Sequence, residues 1–132
     1  MNYLLDTHTF LCLLTEPEKL PAQVQAILAD PETTLALSLV TPWEMAIKTG
    51  IGKLHAGEIL DHFEAVVAQG RFTMLETAVP QVVRAGTLPL HHRDPFDRLL
   101  VAQSLELRIP IISRDPVFDR YGVERIWSGS GA

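Results

Sequence analysis

Tyr3-Leu4-Leu5-Asp6-Thr7-His8-Thr9-Phe10 decides the fold: three apolar residues run straight into a carboxylate, and a stretch with helical spacing follows it. A short continuous apolar run is what a strand buried on both faces shows. THTFLCLLT then reads as a helix with Leu11 and Leu14 on one side. An acid set directly behind a buried strand needs partners, because an uncompensated charge is costly to bury. Asp6 is therefore a candidate functional residue from this junction alone.

Working outward, the same design recurs. Leu35 to Val40 is strand-like and runs into Thr41-Pro42-Trp43-Glu44, with a helix expected from Trp43 to about Ile51. Ile109 to Ser113 is β-branched and leads through Arg114 to Asp115-Pro116 and a short helix. Asp94-Pro95-Phe96-Asp97 opens a helix to about Leu107 without a clear strand before it. Between these lie helical patterns at 21–30, 57–69 and 79–85 and strand-like runs at 72–75 and 123–127. Strands alternating with helices predict an α/β sandwich around a mostly parallel sheet. In open parallel sheets ligands sit outside the carboxyl ends of the strands, so acids far apart in sequence are candidates for one cleft. Like charges held close need a cation, and hard oxygen ligands favour Mg²⁺ or Mn²⁺. No Cys/His set has zinc spacing: His91 and His92 are adjacent, while His8, His55 and His62 are scattered. Capping competes as an explanation. Thr41-x-x-Glu44 fits a capping box with Pro42 at the first helical position, and Asp94 and Asp115 each precede a proline as N-caps do. Asp97 would lie in a first turn, where the helix dipole favours an anion.

Composition sets the bounds. The 132 residues suffice for one domain, expected over 1–127, with 128–132 as a flexible tail. At 47% hydrophobic and 20% charged residues the chain is not of the disordered class. The net charge of −5 argues against a simple basic nucleic-acid binder. Without Asp6, Glu44, Asp94, Asp97 and Asp115, however, 11 acids would balance the 11 bases, so the whole excess could be one local site. One cysteine, Cys12, forms no internal disulfide and reads as a packed thiol. No apolar run approaches the ~20 residues of a membrane span, and a cytoplasmic location is expected. Trp43, Phe96 and Trp127 read as core or interface aromatics. Lys48, Lys53, Arg93, Arg98 and Arg114 either contact phosphates or are solvated surface charges.

The segments LLDTHTFL, TPWEMAIKTGIGKL, HRDPFDRLLVAQSLE and IISRDPVFDRYGV, in this order, resemble the PIN-domain ribonucleases, specifically VapC-type toxins of bacterial toxin–antitoxin pairs. The resemblance implies a PIN-like three-layer α/β/α sandwich, Mg²⁺- or Mn²⁺-dependent endoribonuclease activity on RNA, a VapB-like antitoxin partner and a homodimer. The family's four acids fall on Asp6, Glu44, Asp97 and Asp115. Asp6, Asp97 and Asp115 would hold metal, with Glu44 completing the acidic ring. Ser113 matches the small hydroxyl residue that accompanies the fourth acid. Asp94 belongs to an H-x-D-P-F-D-R signature, and Thr7, following the first acid, takes a supporting place. Cys12 stands where many relatives carry Trp. Leu11 and Leu14 are expected at or near the dimer interface. A phosphoaspartate enzyme fits less well, since its second acid would fall on His8. A non-catalytic PIN-like module binding RNA or a partner, and a nuclease outside a toxin–antitoxin pair, are the alternatives.

Overall fold

The computed structural model describes residues 2–128; of the expected tail at 128–132, all but Ser128 lies outside them. Five strands form one all-parallel sheet: β1 (Asn2–Leu5), β2 (Thr34–Ser38), β3 (Phe72–Leu75), β4 (Ile111–Ile112) and β5 (Arg125–Ile126). The order across the sheet is β3-β2-β1-β4-β5, so β1 is central and the chain turns from one side of it to the other. The crevice beyond the carboxyl ends of β1 and β4 is the topological switch point, where ligands bind in such sheets.

The helices are α1 (Thr7–Thr15), α2 (Ala22–Ala29), α3 (Val40–Gly50), α4 (Gly57–Asp61), α5 (Phe63–Gln69), α6 (Val79–Thr87) and α7 (Pro95–Leu107), with short 3₁₀ turns at Pro17–Lys19 and Pro116–Tyr121. Side chains on successive strand residues face opposite sides, and the core divides accordingly. Tyr3, Leu5, Leu35, Leu37 and Ile112 pack with Phe10, Val24 and the apolar residues of α4 and α5. Leu4, Ala36 and Ile111 face the other way, onto Leu100, Val101 and Phe118. Burying each Leu or Ile side chain contributes roughly 1.5–3 kcal/mol. Thr9 donates its hydroxyl to the Ile112 carbonyl (2.9 Å), tying α1 to the end of β4. Among the described residues no helix is long and apolar enough to cross a membrane.

Three expectations need correction. The helix expected from Trp43 begins three residues earlier, at Val40, so Thr41 lies inside it and no capping box forms there. The Ser38 hydroxyl instead accepts the Val40 N–H (3.1 Å) at the β2–α3 junction. The single helix expected over 57–69 is two, broken at His62 (φ −119°, ψ 23°), although both halves still press Ile59, Leu60, Phe63, Val66 and Val67 onto the core. Of the two readings for Trp43, core or interface, the core one falls: it is 61% exposed and meets Phe96 at right angles, 5.2 Å between ring centres.

Candidate active site

Asp6 leaves the end of β1 buried, and its carboxylate accepts the Thr9 N–H (2.8 Å), capping α1. Burial pushes its carboxyl above the ordinary range, against hydrogen bonds from Ser113 and Thr9 that favour the anion. Ser113, fully buried just after β4, links two acids: its hydroxyl bonds to Asp6 and accepts the Asp115 N–H (3.0 Å). Asp115 in turn caps the following 3₁₀ turn through the Val117 N–H (3.0 Å). The parallel pairing of β1 with β4, Leu5 opposite Ile112, thus brings the first and last acids to one edge of the sheet.

Glu44 arrives from α3, buried like Asp6. The Thr7 hydroxyl donates to its Oε1 (2.5 Å), and Lys48 one turn later engages Oε2 (2.5 Å). Both oxygens are therefore partnered, with one positive charge against them. Thr41, second residue of α3, stands next to Thr7 (3.5 Å).

The start of α7 supplies the rest. Asp94 caps the helix, accepting from the Phe96 N–H (2.8 Å) and, more weakly, the Asp97 N–H (3.4 Å). Asp97 points into the cleft, and its carboxyl is pushed up to about 6. Burial is the largest cause, a hydrogen bond from His92 opposes it, and the charges of Asp94, Asp6 and Glu44 add to it. Acids from three segments thus act together on Asp97.

Asp6, Thr7, Glu44, Asp94, Asp97 and Asp115 line a single cleft of about 790 Å³. All five expected acids are there; Ser113 lies beneath, holding two of them. The tightest group capable of holding a metal among the described residues is His92, Asp94 and Asp97, whose ligand atoms lie within 4.8 Å of one another. Asp6 and Asp115 are outside that group. Lys48, Lys53 and Arg114 line the same cleft, and the Arg114 guanidinium meets His8 Nε2 (2.7 Å) at its rim.

Arg98 is corrected on both readings. It is neither solvated nor facing the cleft: buried, it donates to the carbonyls of Leu88 (2.9 Å), Pro89 (3.1 Å) and His92 (3.2 Å). His92 is the site residue the sequence reading missed. Its signal was present, five positions ahead of Asp97 in the H-x-D-P-F-D-R stretch, but a contact across a loop has no periodicity to reveal it.

Compared with known proteins, the model of the PIN domain family matches residues 3–124. No curated protein matches the sequence. Among solved structures the fold is similar to VapBC2 from Rickettsia felis bound to a DNA fragment from its promoter (TM-score 0.69, 14% identity, covering 96% of this chain and 99% of that one). It is similar also to DNA-bound VapBC from Salmonella typhimurium (TM-score 0.69, 16% identity, 97% and 98%). A third is VapBC-1 from nontypeable Haemophilus influenzae (TM-score 0.67, 18% identity, 96% and 97%).

Proposed function

The chain belongs to the PIN-domain family, and from that premise we propose that it is a divalent-metal-dependent endoribonuclease acting as the toxin of a toxin–antitoxin pair. The observation that carries this reading is the convergence of Asp6, Glu44, Asp94, Asp97 and Asp115 on one cleft at the switch point of a parallel sheet. The donors fit Mg²⁺ or Mn²⁺: they are hard carboxylate oxygens, and negative charge is costly at Asp6 through burial and at Asp97 through burial and the neighbouring acids. Asp6, Asp97 and Asp115 would hold the ion, with Glu44 beside them. When bound, such a cation offsets charge developing on phosphate oxygens and makes water a better nucleophile near neutral pH.

The chain's own residues supply the rest. Ser113 and the α1 amide hold Asp6 in place, so its orientation is set before substrate arrives. Thr7 and Lys48 fix Glu44, which then adds field rather than a free ligand. Lys53 and Arg114, exposed on the cleft wall of an otherwise acidic protein, attract the phosphodiester backbone of a nucleic acid. RNA as the substrate, rather than DNA, rests on the likeness of the four sequence segments to VapC-type toxins. The test is expression with and without the adjacent open reading frame, together with purified protein on RNA. Growth arrest relieved by the neighbour, and RNA cleavage stopped by EDTA, are expected. Metal-independent cleavage, or none with either metal, overturns the reading.

A VapB-like antitoxin is expected to place a basic side chain, best an arginine, among these carboxylates, since the guanidinium fork matches paired carboxylates and brings positive charge. Titrated calorimetrically with Mn²⁺, the complex should then bind the ion more weakly than the free chain. Unchanged Mn²⁺ affinity would exclude this mode.

We also propose a homodimer, through a face other than the one the sequence pointed to. Leu11 lines the acidic cleft, and Leu14 is at the margin of exposure. Larger apolar exposure lies on α3 and α6: Leu39, Trp43 and Val82 line a groove of about 400 Å³, with Val79 and Val83 exposed on the same helix as Val82. Contiguous apolar surface of this kind marks an interface. Sedimentation of the wild type should show a dimer and Trp43→Glu a monomer. A wild-type monomer at tens of micromolar would contradict it.

A further inference from the structure

We infer that His92 is a positioning residue of this site: it fixes the Asp97 carboxylate in the orientation that receives the cation, from a loop clamped by Arg98 and Tyr121. The inference rests on the metal-dependent reading above and names a residue that reading does not need.

The His92 ring reaches Asp97 through Nε2, 2.8 Å from Oδ2, with both side chains partly buried. A ring N–H donating to Oδ2 occupies one carboxylate oxygen and leaves Oδ1 free for the cleft. Without that donor the carboxylate can rotate, and the freedom must be lost again when an ion binds.

The mount is unusual for a loop. Residues 88–94 join α6 to α7 without helix or strand, yet their backbone is held by side chains. Arg98 binds three of its carbonyls, as described above. The Tyr121 hydroxyl donates to the Pro89 carbonyl (2.7 Å) and accepts the His92 N–H (2.9 Å), while His91 packs edge-on against its ring (5.1 Å between centres). Arg98 follows Asp97 directly, and successive helix residues project about 100° apart. One turn of α7 therefore aims a carboxylate into the cleft and a guanidinium under the loop. The loop returns His92 to that same carboxylate.

The arrangement matches how outer partners orient metal ligands, where losing the partner typically costs about 10–100-fold in metal affinity. The test is calorimetric titration of the full chain with Mn²⁺ as wild type, His92→Ala and His92→Gln. His92→Ala should raise the Mn²⁺ Kd about 10–100-fold while regaining RNA cleavage as Mn²⁺ is raised to saturation. His92→Gln, whose amide N–H₂ can reach the same oxygen, should stay close to wild type. Circular dichroism checks the fold of each variant, and should His92→Ala fail to fold, His92→Phe, which keeps a ring without an N–H donor, takes its place. Wild-type affinity in folded His92→Ala overturns the inference, as does a His92→Gln as weak as His92→Ala, which would make the imidazole itself the ligand. If wild type cleaves RNA and binds Mn²⁺ but the alanine variant binds equally well, this inference alone fails. If wild type does neither, the functional reading fails and takes the inference with it.

Discussion

Asp6→Asn should abolish RNA cleavage while leaving the protein folded. Removing the charge takes away several kcal/mol of metal-supplied stabilisation, a loss on the order of 10³-fold or more at about 1.4 kcal/mol per decade. The fold should survive, because Asn caps helices about as well as Asp and its amide oxygen can still accept the Thr9 N–H. In EDTA the variant should melt at or above the wild type. The wild-type Asp6 carboxyl is raised in the folded state, so the native protein holds that proton more tightly than the unfolded chain, and ionisation above the ordinary range weakens the fold. Asparagine never ionises. Cleavage assays and melts on the same preparation separate the two effects. Persistent activity of purified Asp6→Asn, with contaminating nuclease excluded, would sink the assignment.

Asp97 and Asp94, three residues apart at one helix start, should show opposite signatures. Asp97 titrates at about 6 in the folded chain against 3.8 for the free carboxyl. Between those values the native state binds more protons than the unfolded one, so metal-free stability falls as pH rises from about 4 to 6. Above that window the full penalty, on the order of 2–3 kcal/mol, is in place. Asp97→Asn should remove this slope, raise the metal-free melting temperature at pH 7.5, and forfeit most of the stabilisation that saturating Mn²⁺ gives the wild type. Asp94→Ala should do the reverse. It loses a cap accepting two amides, costing ~0.5–2 kcal/mol, most clearly at pH 5, where Asp97 is mainly neutral and no longer repels it. Melts of both variants with EDTA and with Mn²⁺, at the two pH values, read the crossed pattern. If Asp97→Asn destabilises the metal-free protein and keeps the whole Mn²⁺ shift, Asp97 is structural and the acid of that helix is Asp94.

What was legible in the sequence were the junctions. An apolar strand ending in an acid leaves a local trace, and Asp6 and Asp115 stand where that trace put them; Asp94 was legible as an N-cap before a proline. The start of α3 was misplaced because Thr41-Pro42 carries the local pattern of a helix entrance. The tertiary need to set a buried Thr41 beside Thr7 overrides that pattern. The break at His62 left no trace, since the apolar spacing runs on through it. Arg98 and His92 were out of reach for a different reason. Their roles are set by a loop folding back on a helix, and neither burial of a guanidinium nor an imidazole–carboxylate contact is encoded by spacing.

The placement of β1 between β2 and β4 has a consequence for the timing of synthesis. Asp6 leads the chain, but the Ser113 that holds it and the Asp115 beside it belong to a strand end more than a hundred residues later. At about 5–20 residues per second, translation separates these positions by several seconds to some twenty. Throughout that interval β1 lacks its β4 neighbour, and the cleft lacks the wall that Arg114 and Asp115 supply. Under the proposed function, fragments that end before Ile111 lack Ser113 and Asp115, and they should not cleave RNA.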